Sequence, residues 1–221
     1  MLDGLAEAGR GNTFFFTLHD QPLVLRLYRR GGLIRHLLKS QYLYTGLSRT
    51  RAMAEFDLLL TLKEKGLPVP TVHACCVKRS GLFYTASLVT HRLQGETLAQ
   101  RLQSDGKLAS SPDESDALWR TIGNTIARFH QLGVFHADLN AHNLMIDEVQ
   151  SVSVLDFDRG DVRALPGSPA QSGWCLQNLE RLKRSLHKLH SATAGSQTTT
   201  DELDRGIAML RQSWETSLRS S

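Results

Sequence analysis

The sequence has few cysteines and no long apolar run, and these absences exclude several classes of protein. Its 221 residues include three cysteines, of which Cys75 and Cys76 are adjacent, so a disulfide framework or a cysteine-based metal knuckle is not expected. No apolar run approaches the roughly 20 residues that span a bilayer. The first residues lack the basic-then-apolar order of a secretory signal peptide. With 41% apolar residues, the chain is expected to fold as one domain or two small lobes in the cytosol.

Acidic residues are missing from one stretch of the chain. The whole sequence has a formal charge of +4, with 26 Lys and Arg against 22 Asp and Glu. No acidic residue lies between Asp20 and Glu55. The basic residues in this stretch, the basic segment below, are Arg26, Arg29, Arg30, Arg35, Lys39, Arg49 and Arg51. This asymmetry predicts contact with phosphate, nucleic acid or a lipid surface, and a solvated basic face is the alternative.

The apolar pattern predicts a small sheet followed by a mainly helical region. Apolar runs at 14–18 and 23–28 flank a polar turn, which indicates a hairpin. Helical spacing predicts a helix over 51–65, and two more strands are expected at 72–77 and 82–89. We interpret Gln94-Gly95-Glu96 as a hinge. A helix-start signature at Ser111-Pro112-Asp113-Glu114 then predicts a long core helix.

An octet of mainly polar residues is the strongest chemical signal. Residues 136–143 are His-Ala-Asp-Leu-Asn-Ala-His-Asn, and a predicted strand ends thirteen positions later at Asp156-Phe157-Asp158. Phosphoryl transfer needs a carboxylate that orients and deprotonates the attacking hydroxyl, and an amide oxygen and a second carboxylate for magnesium. We predict Asp138 as the catalytic carboxylate and Asn143 and Asp156 as the metal ligands. The alternative is a loop whose polar residues only cap turns.

The octet and the later Asp-Phe pair match the catalytic loop and the metal-binding turn of kinases, H-x-D-L-x-x-x-N followed by D-F. Two positions depart from that pattern. Ala137 stands where protein kinases usually have Arg, and Asp158 stands where they usually have Gly. The resemblance is therefore to the kinase-like fold, and the absence of an Ala-Pro-Glu motif argues against a large lobe for protein substrates.

Two upstream features match the nucleotide-binding part of this pattern. Gly9 and Gly11 precede a predicted strand and are expected to lie over nucleotide phosphates, although Phe14 replaces the third glycine of the usual loop. Arg26 ends an apolar strand where kinases place their nucleotide-binding Lys. We predict that Arg26 binds phosphate and pairs with Glu55, which lies on the apolar face of the predicted helix. Arg29 or Arg30 in place of Arg26, and a Glu55 that reaches water at the helix edge, are the alternatives.

Five segments carry a narrower resemblance: Gly9 to Gly11, Val24 to Gly32, Gly66 to Pro70, His136 to Asn143 and Asp156 to Gly160. Together they resemble the 3-deoxy-D-manno-octulosonic acid (Kdo) kinases of Gram-negative lipopolysaccharide assembly, and the similarity runs from Gly9 to about Lys188. The resemblance implies an α+β, two-lobed protein-kinase-like fold. The expected lobes are an antiparallel-sheet N-lobe at 1–93 and a mainly helical C-lobe at 94–221.

The resemblance also implies a reaction and a location. We expect ATP and Mg²⁺ as cofactors, a Kdo hydroxyl at position 4 of a Kdo-lipid A precursor as acceptor, and peripheral binding to the anionic cytoplasmic face of the inner membrane. A heptose or other small-molecule kinase of the same fold and a non-catalytic pseudokinase are the rival interpretations. Nucleic-acid binding through the basic segment is a third, but no nucleic-acid motif supports it.

One further helix has two open interpretations. Leu179, Leu182, Leu186 and Leu189 form an apolar stripe at helical spacing, with basic residues on the opposite side. Such a helix either lies on a membrane interface or packs its stripe on the core of the domain.

Overall fold

The structure is a computed structural model, and it describes residues 7–8, 12–28, 42–104, 108–109, 111–165, 167–193 and 199–219. Contacts between Cα atoms divide the chain into two units, Met1–Leu93 and Gln94–Ser221. Some predicted residues lie outside the described residues: Gly9, Gly11, Arg29, Arg30, Arg35 and Lys39. Their predicted roles stay predictions.

The first unit is an antiparallel sheet with one helix. Its strands are β1 (Glu7–Ala8), β2 (Thr13–Leu18), β3 (Gln21–Leu27), β4 (Tyr42–Leu43), β5 (Val72–Ser80) and β6 (Phe83–His91), and its helix is α1 (Arg51–Glu64). The strands follow the order β1-β2-β3-β6-β4, and β5 also pairs with β6. Helix α1 packs on β5 and β6, and Leu59 and Leu62 on its inner face are almost fully buried. Burial of this face in the unit's core explains why the helix forms despite its modest length.

Both predicted hairpins are present, with tighter turns than expected. His19 and Asp20 have φ angles of 48° and 61°, and two consecutive left-handed residues match the twist of a two-residue hairpin. The ladder therefore resumes at Gln21, and Pro22 lies in β3 rather than in the turn. In the second hairpin the turn is Gly81 and Leu82, so β5 extends to Ser80. In both cases, tight turns add residues to the strands.

The second unit is mainly helical. Its elements are β7 (Glu96–Thr97), α2 (Leu98–Ser104), α3 (Pro112–Gln131), β8 (Val134–Phe135), β9 (Leu144–Ile146), β10 (Val152–Val154), β11 (Asp161–Val162), α4 (Gly173–Ala192) and α5 (Thr200–Arg219). Strands β10, β9 and β7 form one small sheet, and β11 pairs with β8. The predicted start of α3 is confirmed, because the Ser111 hydroxyl accepts a hydrogen bond from the backbone N–H of Glu114 at 3.2 Å.

Helices α3 and α5 pack closely through two glycines. A Cβ atom at Gly123 of α3 would collide with the backbone carbonyl of Leu210, and one at Gly206 of α5 would collide with the ring of Trp119. The missing side chains let the two backbones approach, and Trp119 and Trp214 fill the surrounding core with at most 4% exposure.

The apolar stripe of α4 is part of the core of the second unit. Leu179, Leu182 and Leu186 are 9%, 1% and 0% exposed, and Leu189, the fourth residue of the stripe, is half-buried. The interpretation that this stripe packs on the domain core is therefore correct, and the membrane-interface interpretation of the stripe is wrong. The described helices also include none whose length and hydropathy would let it cross a bilayer.

Candidate active site

The predicted octet forms the loop between β8 and β9, here called the catalytic loop, His136 to Asn143. The amide nitrogen of Asn143 donates a hydrogen bond to the backbone carbonyl of Asp138 at 2.9 Å. The backbone carbonyl of Asn143 accepts from the N–H of Leu155, the residue before Asp156, also at 2.9 Å. The structure thus brings the three predicted residues of the second unit onto adjoining stretches of backbone.

Asp138 presents a solvent-exposed carboxylate. Its side chain is 65% exposed. The amide nitrogen of Asn140 donates both to the carbonyl oxygen of Asp138, at 3.0 Å, and to its Oδ2, at 3.1 Å. The guanidinium Nη1 of Arg181, on α4, lies 3.3 Å from Oδ1. Asn140 therefore fixes the orientation of the carboxylate, while Oδ1 points to the side where Arg181 and solvent lie.

Asp156 lies at a turn whose next residue is anchored in the core. Its backbone is in the left-handed region, with a φ of 59°, which is unusual for a residue with a side chain. Its Oδ1 accepts from the backbone N–H of Asp158 at 3.3 Å. Phe157, between them, is 1% exposed and stacks on Phe129 with 5.7 Å between ring centroids. Burial of Phe157 offsets the backbone strain and leaves the carboxylate of Asp156 exposed.

The donor set at these residues suits a hard cation. Because the amide nitrogen of Asn143 is bonded to Asp138, the amide oxygen is the atom of Asn143 that remains to ligate a metal. Magnesium is typically held by one or two carboxylates together with substrate phosphates. Within the described ranges, no group of three His, Cys, Asp or Glu side chains is placed to hold a metal. The pair of Asn143 and Asp156 thus fits a magnesium ion held together with nucleotide phosphates.

His136, at the buried end of the catalytic loop, links the backbone of Asp138 to the strand end that precedes Asp156. Its Nδ1 accepts a hydrogen bond from the backbone N–H of Asp138 at 3.1 Å, so the ring proton is on Nε2, which lies 2.8 Å from the carbonyl oxygen of Leu155. Burial, partly offset by nearby hydrogen-bond and charge effects, lowers the pKa of His136 from its usual value. One neutral imidazole therefore ties Asp138 to the strand end that carries Asp156.

A buried hydrogen-bonded chain holds the loop from behind. Asn178 of α4 clamps the backbone of His136, accepting from its N–H at 3.3 Å and donating to its carbonyl at 2.8 Å. The same Asn178 oxygen lies 3.4 Å from Nε2 of His130, and Nδ1 of His130 accepts from the indole N–H of Trp214 at 2.9 Å. Burial lowers the pKa of His130 to about 4. Helices α3, α4 and α5 thus all contribute to the position of the catalytic loop.

The first unit contains the predicted ion pair. Arg26 of β3 and Glu55 of α1 form an ion pair, and the Tyr28 hydroxyl also donates to the Glu55 carboxylate. Glu55 is 2% exposed and Arg26 is 21% exposed. Burial, reinforced by Glu55, raises the pKa of Tyr28, so its phenol is a neutral donor. The expectation that an inward-facing Glu55 has a cationic partner is confirmed, whereas the role of Arg26 in phosphate binding stays a prediction.

Sequence reasoning gave no role to the residues that support this site: His130, Asn140, Asn178, Arg181 and Trp214. A signal existed for Asn178, because it lies about one helical turn before Leu182 and two before Leu186 and is therefore a polar residue in line with the apolar stripe. No comparable signal existed for His130 and Trp214, which are 84 positions apart in the sequence.

A comparison with solved structures defines the fold class. The chain resembles a structure of WaaP in complex with acyl carrier protein, with a TM-score of 0.62 and 17% sequence identity, over 99% of this chain and 81% of that one. The α+β kinase-like fold predicted from the sequence is thereby confirmed. The chain is thus a member of the kinase-like fold class.

Comparison with known sequences shows which family this is. Residues 3–206 match the lipopolysaccharide kinase (Kdo/WaaP) family, and the chain belongs to it. It is 38% identical over 212 residues to the 3-deoxy-D-manno-octulosonic acid kinase of Xylella fastidiosa (strain 9a5c), covering 96% of this chain and 78% of that protein. It is 40% identical over 210 residues to the 3-deoxy-D-manno-octulosonic acid kinase of Xanthomonas campestris pv. campestris (strain B100), covering 95% and 77%. Membership of this kinase family makes the chain a phosphotransferase with an alcohol group as acceptor, and it implies ATP as the phosphate donor.

Proposed function

We propose that this protein transfers the γ-phosphoryl group of ATP to the 4-hydroxyl of a Kdo residue on a Kdo-lipid A precursor, in lipopolysaccharide core biosynthesis. The observation that carries the reaction is the catalytic loop, which joins an exposed carboxylate at Asp138 to the oxygen donors of Asn143 and Asp156. The acceptor is supported by the names of the relatives in Xylella and Xanthomonas.

Asp138 orients the acceptor and takes its proton. The sugar hydroxyl donates a hydrogen bond to the carboxylate, and its oxygen attacks the γ-phosphorus of ATP. The new P–O bond forms as the bond from the γ-phosphorus to the β,γ-bridging oxygen breaks, so ADP leaves. The hydroxyl proton passes to Asp138. Asn140 holds Oδ2 of the Asp138 carboxylate, so Oδ1, which Arg181 contacts at 3.3 Å, is the oxygen that accepts from the hydroxyl.

The charge of the phosphates needs cationic partners. Asn143 and Asp156 are the residues that would hold magnesium, which when bound neutralises phosphate charge and aligns the transferred group. Arg26 in the first unit is a second candidate, since a guanidinium binds phosphate oxygens in a bidentate manner. Its pairing with Glu55 and its partial exposure suit that role, because Glu55 fixes the guanidinium while part of it stays accessible.

A transfer assay tests the proposal. Labelled ATP and Mg²⁺ are incubated with a Kdo-bearing lipid A precursor, with a heptose-bearing core and without acceptor, and the position of the phosphate is read by phosphorus–proton correlation. Phosphate at the Kdo 4-hydroxyl is the expected result, and Asp138→Asn is the inactive control. Transfer to heptose alone would show another acceptor in the same fold. ATP binding without transfer to any acceptor would favour a pseudokinase.

We also propose peripheral binding at the cytoplasmic face of the inner membrane. The support is the basic segment, since anionic lipid attracts clustered Lys and Arg with about 1 kcal/mol per residue near the surface. Sedimentation with vesicles is the test. We expect the protein to bind anionic vesicles and the binding to weaken as salt is added. Binding should also fall when Arg29, Arg30 and Arg35 are replaced by Gln. Equal binding to neutral vesicles would contradict an electrostatic mode.

A further inference from the structure

One edge of α4 follows the catalytic loop residue by residue. Asn178 bonds to the backbone of His136, Arg181 contacts the carboxylate of Asp138 at 3.3 Å, and the Ser185 hydroxyl accepts from the backbone N–H of Ala141 at 3.2 Å. The helical positions increase by three and four residues as the loop positions increase by two and three. The edge therefore runs alongside the loop, and its middle residue lies at the carboxylate predicted to receive the acceptor hydroxyl.

The three contacts along this edge differ in burial. Asn178 is 2% exposed, whereas the side chain of Arg181 is 47% exposed. The Arg181 pair involves one nitrogen and one oxygen at 3.3 Å, and an exposed pair of this kind contributes little to stability. Among the described residues, the contacts of the Arg181 guanidinium are confined to this one. Most of its fork of N–H donors is therefore available to a ligand that binds beside Asp138.

We propose that Arg181 is the residue that binds the carboxylate of the acceptor sugar, and that it gives up Asp138 to do so. A carboxylate able to accept two parallel N–H bonds is a stronger partner for a guanidinium than a single oxygen at 3.3 Å. When Arg181 turns to this partner, Oδ1 of Asp138 is released to accept the hydrogen bond of the acceptor hydroxyl. Acceptor binding then both fixes the sugar and exposes the base.

The chemistry of the acceptor agrees with this geometry. This inference rests on the proposed function, in which the acceptor is Kdo, a sugar acid. Its carboxylate is attached to C2 and the hydroxyl in question to C4, so one ring carbon separates the two substituted carbons. A hydroxyl at Asp138 thus places a carboxylate within the reach of the neighbouring Arg181. A neutral sugar such as heptose offers no such partner, so Arg181 would select for an acid.

The test is a cycle in which protein and acceptor are altered separately and together. Wild type and Arg181→Ala are assayed for kcat/KM with a Kdo-bearing lipid A precursor and with the same acceptor carrying a neutral carboxamide in place of the Kdo carboxylate. We expect either change alone to lower kcat/KM by about tenfold to a hundredfold, chiefly through KM, and both together to cost little more than one. Arg181→Lys keeps the charge without the fork and should fall between wild type and Ala.

Arg211→Ala is the matched control, because Arg211 is an exposed arginine on α5 that also pairs with a single carboxylate, Glu215 at 3.1 Å. It should respond to the carboxamide as wild type does. An equal loss for Arg181→Ala with both acceptors would place its action on Asp138 or on the phosphates and overturn the proposal. No loss with either acceptor would also overturn it, leaving a surface ion pair. Failure of the proposed function has a different signature: wild type would phosphorylate neither Kdo acceptor, which refutes both.

Discussion

The groups predicted to meet substrate and the groups that hold them differ sharply in exposure. In the second unit the Asp138 side chain is 65% exposed, whereas His130, His136 and Asn178 are at most 4% exposed. The first unit shows the same contrast in a milder form, with Arg26 at 21% and Glu55 at 2%. We therefore expect substitutions of the exposed groups to alter catalysis with little effect on stability, and substitutions of the buried groups to alter stability as well.

The largest expected effect is at the exposed end of the catalytic loop. Asp138→Asn should lower kcat by about 10³-fold, because the amide cannot accept the hydroxyl proton. Since the side chain is mostly in water, the free energy of unfolding should change by less than about 0.5 kcal/mol. Transfer assays and urea denaturation measure the two quantities, and Asp57→Asn, an exposed aspartate on α1, is the control. If the free energy of unfolding fell by as much as the activation free energy rose, catalysis and stability would not be separable at this exposed group.

Unlike Asp138, the buried ion pair of the first unit should have a large effect on stability. Glu55→Ala leaves the buried Tyr28 hydroxyl and the Arg26 guanidinium without their shared carboxylate, so we expect unfolding to become easier by about 3 kcal/mol. Urea denaturation measures this loss. Glu64→Ala, at the exposed end of the same helix, should change stability little. A Glu55→Ala protein as stable as wild type would contradict the structural role assigned to the pair.

Asn178 is expected to affect both stability and catalysis. Asn178→Ala leaves the backbone N–H and carbonyl of His136 unpaired in the core, which should reduce stability by about 2 kcal/mol. Because His136 in turn bonds to the backbone of Asp138, kcat should also fall, by about tenfold, in folded protein. Asn124→Ala removes an exposed asparagine that bonds to Ser217 and serves as control. An unchanged kcat in the folded variant would show that the loop keeps its position without the clamp.

The sequence predicts the exposed groups better than their supports, and the reason is physical. Asp138, Asn143 and Asp156 lie close together in the chain, in a spacing that matches the kinase pattern, so a single sequence is enough to predict them. The four long strands of the first unit, α1 and α3 follow from local periodicity and capping, whereas the two-residue strands give no such signal. The support of the loop depends instead on pairs such as His136 with Asn178, which only tertiary packing brings together. The burial of the α4 stripe likewise depends on what covers it, which periodicity does not specify.

The two buried histidines should make stability depend on pH, and this is the smallest of the expected effects. Burial lowers the pKa of His130 to about 4 and also lowers that of His136, whereas both are near 6.5 in an unfolded chain. Below about pH 6.5 the unfolded chain therefore binds protons that the folded protein does not, so stability is present above that pH and is lost as the pH falls. For His130 alone, the loss between neutral pH and about pH 5.5 should be about 1 kcal/mol.

Urea denaturation across this pH range measures the slope, and two variants assign it. His130→Gln removes one of the titrating groups, so its stability, although lower throughout, should fall less steeply with pH than that of wild type. His73→Gln, on the exposed face of β5, should keep the wild-type slope. A wild-type stability that stays level or rises on acidification would mean that the histidines accept protons without unfolding. The hydrogen bond from the Asp138 N–H to Nδ1 of His136 would then have to break in the folded protein, because a protonated imidazole has no acceptor.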